Sequence, residues 1–152
     1  MDDDSPYDIS VAFDCDGRGI DESEIHRAVR ATLQQQDCPS ATISVAVVSD
    51  RRMASLNEQY RDHQGPTDVL SFDLGDDRVD GEVVISLDTA RRESEARGHS
   101  LAGELLLYAV HGTLHLLGFD DGTEAEAHRM REEQERILTT LGFSGIVGGD
   151  AP

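Results

Sequence analysis

The sequence has no lysine and no tryptophan, and it is short of cysteine (2), proline (4) and aromatic side chains (5%). Each shortage excludes something. Two cysteines, Cys15 and Cys38, make no disulfide framework, and neither sits in a CxxC spacing or a basic neighbourhood that would mark a redox thiol. No apolar run approaches the roughly 20 residues that a membrane-spanning helix needs. The opening Met-Asp-Asp-Asp lacks the basic and apolar regions of a secretory signal, so a cytoplasmic setting with reduced thiols is the expectation. Internal repeats and low-complexity linkers are missing as well. The 152 residues are therefore expected to form a single domain, 1–152, with loose ends at 1–7 and 144–152.

What is abundant is acid. Thirty-one acidic residues face 13 basic ones, every one of them arginine, for a net charge of −18. Residues 1–24 alone hold nine acids and one arginine. A charge of this size excludes general adhesion to DNA or to anionic membranes, and it speaks for a solubilising surface.

The pattern alternates between periods of two and of 3.6. Residues 8–14 and 42–48 read as strands, and 68–72 and 82–87 as two more. Asp21 with Glu24 resembles a capping box, followed by Ile25, Val29 and Leu33 at helical spacing. Ser49 caps a short helix over 50–60, residues 62–67 are a loop by their turn residues, and 89–97 form a charged, exposed helix. Residues 101–117 are apolar around most of a helix and so predict a buried one, ended by Gly118 in a left-handed cap. Thr123 and Glu126 open a last helix to about Leu141, with Met130, Ile137 and Leu141 on its core side. The order β-α-β-α-β-β-α-α-α implies an α+β fold: a small mixed sheet of about four strands covered by about five helices on one face.

The buried helix carries His111 and His115. Four positions of a helix bring side chains back to within about 40° and about 6 Å of each other, so both imidazoles leave one face and converge. Core histidines bonded to carbonyls would show the same spacing. Gly118 and Asp121 complete the run His111-x3-His115-x2-Gly118-x2-Asp121, the layout of zincin metallopeptidases with a carboxylate as third ligand. Asp120 is the neighbouring alternative. Two histidines and a carboxylate also match the facial triad of non-haem iron enzymes, which the helix–glycine–loop placement ranks lower. Gly112 stands where a zincin has its general base, so a peptidase mechanism lacks that group. A glycine there also suggests open room beside the ion.

His-Gly-Thr-Leu-His-Leu-Leu-Gly-Phe-Asp-Asp at 111–121 resembles the signature of the YbeY family of bacterial endoribonucleases. So do Leu56-Asn57-x-x-Tyr60-Arg61 with Pro66-Thr67-Asp68-Val69-Leu70-Ser71-Phe72, the segment Gly81–Ser86, and Met130 through Phe143. The resemblance covers about residues 40–143 and departs at Asp121, where the family has histidine, at Phe119 for tyrosine, and at Asp73 for proline. It implies a hydrolase that cuts single-stranded ribosomal RNA during maturation of the small (16S) subunit and in ribosome quality control. It implies one Zn2+ per chain on His111, His115 and Asp121. It also implies a substrate-lining role for Arg61, whose guanidinium suits a phosphate, although a surface ion pair with Asp62 or Asp68 would equally explain that arginine. Given the net charge, the RNA site must be a local cleft lined by arginine. Glu104, seven residues before His111, is either a partner that orients an imidazole or an acid favouring the helix dipole. Thr67, Asp68 and Ser71 are candidates to line the cleft, or they merely start a strand. His26, His63, His99 and His128 read as surface residues, with His63 near enough to Arg61 to reach substrate. Two other functions compete: a ribosome-assembly binding factor whose metal is structural, and a zincin-type peptidase.

Overall fold

The computed structural model describes residues 5–17, 19–61, 68–75 and 77–146, with the side chains of Tyr60 and Arg61 outside the description. The elements follow the expected order: β1 (Tyr7–Asp14), α1 (Glu22–Gln35), β2 (Ala41–Val48), α2 (Asp50–Arg61), β3 (Val69–Asp73), β4 (Val79–Ser86), α3 (Leu87–Arg97), α4 (Leu101–Leu116) and α5 (Glu124–Thr140). The sheet runs β1-β2-β4-β3. Strands β1, β2 and β4 are parallel, and β3 is antiparallel to β4 at one edge, which makes the sheet mixed and the fold α+β.

Side-chain alternation divides the core into two parts. Ile43, Val45 and Val47 of β2 and Val83 and Ile85 of β4 point to one face, into the main core with α1, α4 and α5. Val48, Val84 and Leu70 point the other way and form a second cluster with Met53 and Leu56 of α2. Helix α2 therefore covers the opposite face, where helices on a single face were expected. Its own amphipathic pattern announces that one side is buried but not against which layer. Strand β4 also starts three residues earlier than its apolar run, at Val79, because it pairs with β2 along the whole length from Ala41↔Val79 to Val48↔Ser86.

Local signals set the boundaries. Thr123 and Glu126 form the full reciprocal box at the start of α5. Asp21 caps α1 differently from the expected box, since its Oδ1 accepts from the amide and hydroxyl of Ser23 at 3.0 and 2.6 Å. Gly118, at φ +101°, closes α4: its N–H reaches His115 O and that of Phe119 reaches Leu114 O, both at 3.0 Å. At the termini, Tyr7 donates its hydroxyl to Cys38 O at 2.6 Å, and Ile146 is buried against Gly103.

Helices α2 and α3 are joined through Asp50. Its carboxylate accepts from Ser86 Oγ (2.7 Å) and Thr89 Oγ1 (2.8 Å) and pairs with Arg92 (2.6 Å). Burial raises its pKa, but the hydrogen bonds from Arg92, Ser86 and Thr89 outweigh burial and hold the carboxyl below its usual value. A carboxyl depressed in the folded state stabilises the fold above the unfolded-state pKa, and that stabilisation is lost as pH falls through the folded value. Asp50→Asn is expected to lower stability by about 1–3 kcal/mol at neutral pH and to flatten the acid limb below about pH 4. Urea unfolding at pH 7 and at pH 3 checks both effects.

Candidate metal centre

Helix α4 lies directly on the sheet. A Cβ built on Gly112 would sit 2.5 Å from Val83 Cγ1 and 3.1 Å from Ser71 Oγ, and one on Gly81 would meet Leu116 at 2.7 Å. Glycine at these two points lets helix and sheet approach closely. Gly112 thus faces β3 and β4. The open room beside an ion inferred from the sequence is not there, and a glutamate side chain would have to enter the sheet. Ser71, a candidate to line the cleft, donates its hydroxyl to Gly112 O at 3.0 Å and so ties β3 to α4.

On an adjoining face of α4, about 60–100° round the helix from Gly112, His111 and His115 present their rings edge to face, with centroids 4.7 Å apart and planes at 83°. Both are half-buried. The Schellman turn at Gly118 swings the chain back, and Asp121 Oδ2 comes to 3.9 Å from each Nε2. One ligand atom from each of the three residues lies within 4.8 Å of the others. Ligand bonds of about 2.1 Å at tetrahedral angles need donors about 3.4 Å apart, so the separations fit an ion with a small inward movement. Two imidazole nitrogens and one carboxylate oxygen are a donor set suited to zinc or non-haem iron. The Asp121 side chain is 48% exposed, which leaves access from solvent. Asp120 uses its Oδ1 to accept from the Asp121 N–H at 2.8 Å and borders a separate shallow pocket with Glu126 and Arg129.

Each imidazole is held by its other nitrogen. His115 Nδ1 lies 3.0 Å from Phe119 O, and His111 Nδ1 lies 2.6 Å from Gln134 Oε1 on α5. Burial pushes the His115 pKa down and the neighbouring His111 adds to this, against an opposing pull from Asp121. A ring kept neutral is a ring with a lone pair to offer a metal.

Sequence reasoning missed Gln134 and left Glu104 open between orienting an imidazole and favouring the helix dipole. Glu104 is fully buried, but it bonds His99 Nε2 at 2.5 Å, with Arg97 at 3.8 Å. His99 is accordingly no surface residue: it folds over the start of α4 to meet a buried carboxylate. Burial, reinforced by the same carboxylate, drives the Tyr108 phenol well above its ordinary range, so Tyr108 stays protonated. Asp68 is exposed at the start of β3, its Oδ1 accepting from the Val69 N–H at 2.7 Å. Arg61 closes α2 with its side chain outside the described residues, and His63 and Thr67 lie outside them altogether. His128 is exposed and 3.4 Å from Glu132.

Among known proteins, residues 13–142 match the family model described as Endoribonuclease YbeY, which adds the whole of α1 and the last two residues of β1 to the span of the motifs. A Carboxydothermus hydrogenoformans protein named Endoribonuclease YbeY is 45% identical over 122 residues, covering 78% of this chain and 85% of that one. One of the same name from Desulfitobacterium hafniense is 38% identical over 137 residues, covering 82% and 85%. In three dimensions, the chain resembles the solution structure of a Thermotoga maritima protein, with a TM-score of 0.63 at 21% identity over 88% of this chain and 91% of that one. That likeness supports the fold. No helix among the described residues is long and apolar enough to cross a membrane.

Proposed function

The chain belongs to the YbeY endoribonuclease family and is an enzyme that hydrolyses RNA, and from that premise we propose a zinc-dependent endoribonuclease specific for single-stranded RNA. Its substrates are unpaired regions of ribosomal RNA in the maturing small (16S) subunit, and its place of work is the cytoplasm. The observation that carries the metal dependence is the convergence of His111, His115 and Asp121 within 4.8 Å. Those three residues would hold one Zn2+ per chain. When bound, the ion supplies Lewis acidity and lowers the pKa of a water molecule in the site. The rest falls to the chain itself. Gln134 and the Phe119 carbonyl keep the imidazoles in place, and the exposed side of Asp121 leaves the approach to a phosphodiester open. Arg61 binds the phosphate and offsets negative charge that grows on it as the bond breaks.

A mainly structural metal would suit a binding factor, but structural zinc normally takes four protein ligands, and the group found among the described residues has three. A peptidase reading fails on Gly112, which offers no base and no space for one.

Arg61→Ala is expected to slow cleavage of a single-stranded RNA by about 100-fold or more, the scale of removing one transition-state donor. Zinc content and melting temperature should stay parental. Cleavage at the parental rate would remove Arg61 from the phosphate role.

A further inference from the structure

The contact at His111 Nδ1 is made with an amide that the apolar side of α5 has no other reason to carry. Gln134 is 5% exposed, between Met130 and the Ile137–Leu138 pair, which are 0–2% exposed. A glutamine here loses its hydration and side-chain entropy, and burying an amide without partners costs several kcal/mol. Its partner is a ring nitrogen on α4, 23 residues earlier, at 2.6 Å.

The chemistry of that contact has two possible senses. With the amide oxygen towards the ring, His111 donates from Nδ1–H and leaves the Nε2 lone pair free, on the side where Asp121 Oδ2 stands. With the amide NH2 towards the ring, Nδ1 accepts and the proton moves to Nε2, which can then bind no cation without losing it. His115 is fixed in the first sense by geometry, since the Phe119 carbonyl it meets can only accept. Both rings must point a lone pair at the same ion, so the amide oxygen belongs on His111. Helix α5 thereby acts on the site twice. It starts at the Thr123 cap, two residues after Asp121, and it returns Gln134 to the first ligand.

We propose that Gln134 is a positioning residue of the endoribonuclease: its side-chain oxygen locks His111 in the Nδ1–H tautomer and so prepares Nε2 for the metal. The proposal rests on the metal-dependent reading above, and it predicts a property of the metal-free protein that does not depend on catalysis. Groups that hold a ligating histidine in this way are typically worth about 10–100-fold in metal affinity.

The test uses the full chain and zinc alone as probe. Gln134→Leu fills the space without an acceptor, while Gln134→Glu keeps one. Zinc affinity is read by competition with a chromophoric chelator, the His111 tautomer by 15N NMR of the metal-free protein, and folding by circular dichroism and melting. The expected results are an Nδ1–H tautomer in the parent, a loss of zinc affinity of about 10–100-fold in Gln134→Leu, and retention within a few-fold in Gln134→Glu. An Nε2–H tautomer in the metal-free parent would overturn the proposal, as would parental zinc affinity in folded Gln134→Leu. If Gln134→Leu does not fold, the parent's tautomer and the zinc affinity of Gln134→Glu decide, and a loss of about 10-fold or more in the latter counts against the proposal. A parent that binds no zinc at all would defeat the metal-dependent reading instead, with the tautomer still deciding how Gln134 is turned.

Discussion

Asp121→Ala is expected to weaken zinc binding by more than about 100-fold and to remove RNA cleavage with it, whereas Asp120→Ala keeps both. The scale exceeds the 10–100-fold usual for residues that only orient a ligand, because in the proposed site Asp121 is itself one of three ligands. Two histidines a turn apart are a poor site on their own. Among the described residues only Asp121 comes to 3.9 Å of both Nε2 atoms, and its neighbour Asp120 is engaged with the Asp121 backbone N–H. Asp121→His, the residue usual in the resembling signature, should retain the metal. Zinc titrations of the three variants against a competing chelator check the assignment. Loss of metal in Asp120→Ala with retention in Asp121→Ala would name the other carboxylate.

Gly112→Glu is expected to unfold or severely destabilise the protein, by about 3 kcal/mol or more, and to create no peptidase. The substitution looks like a repair of the zincin sequence, but the space it needs is taken. The first carbon alone would lie 2.5 Å from Val83 Cγ1 and 3.2 Å from Val69 Cγ2. A carboxylate pushed into that layer is desolvated and unpaired as well. Gly112→Ala separates the two effects. Alanine gains about 1 kcal/mol of helix propensity yet overpacks the contact at about 1–3 kcal/mol, so a modest net loss is expected. Thermal melts of both variants and a casein assay on Gly112→Glu decide. A folded Gly112→Glu with parental melting temperature and zinc-dependent casein cleavage would refute the packing argument.

The parts of the site written in local sequence were legible from the residues alone. His111 and His115 share a helix, Gly118 ends it, and Thr123 with Glu126 starts the next; each of these rests on contacts within a few residues. The parts that depend on how layers meet were not. Gly112 reads as a gap beside an ion until Val83 is seen against it. Glu104 shares a helical face with His111, but the approach of His99 decides its partner. Gln134 did leave a trace, as a polar residue interrupting the Met130–Ile137 stripe of α5 where an apolar one would pack. A buried amide of that kind asks for a partner, and only the packing of α5 on α4 identifies it as His111. Helix α2 shows the same limit at the level of the fold, since the match of Met53 to Val48 and Val84 is settled by the sheet's own alternation.

The central claim is that RNA hydrolysis depends on an ion held by His111, His115 and Asp121. The most direct measurement is the cleavage rate of a single-stranded RNA by chelator-stripped protein as zinc is added back. The account predicts a silent stripped protein, recovery that saturates near one zinc per chain, and no recovery for His111→Ala. Full-rate cleavage by the stripped protein, or recovery in His111→Ala at the same stoichiometry, would contradict it.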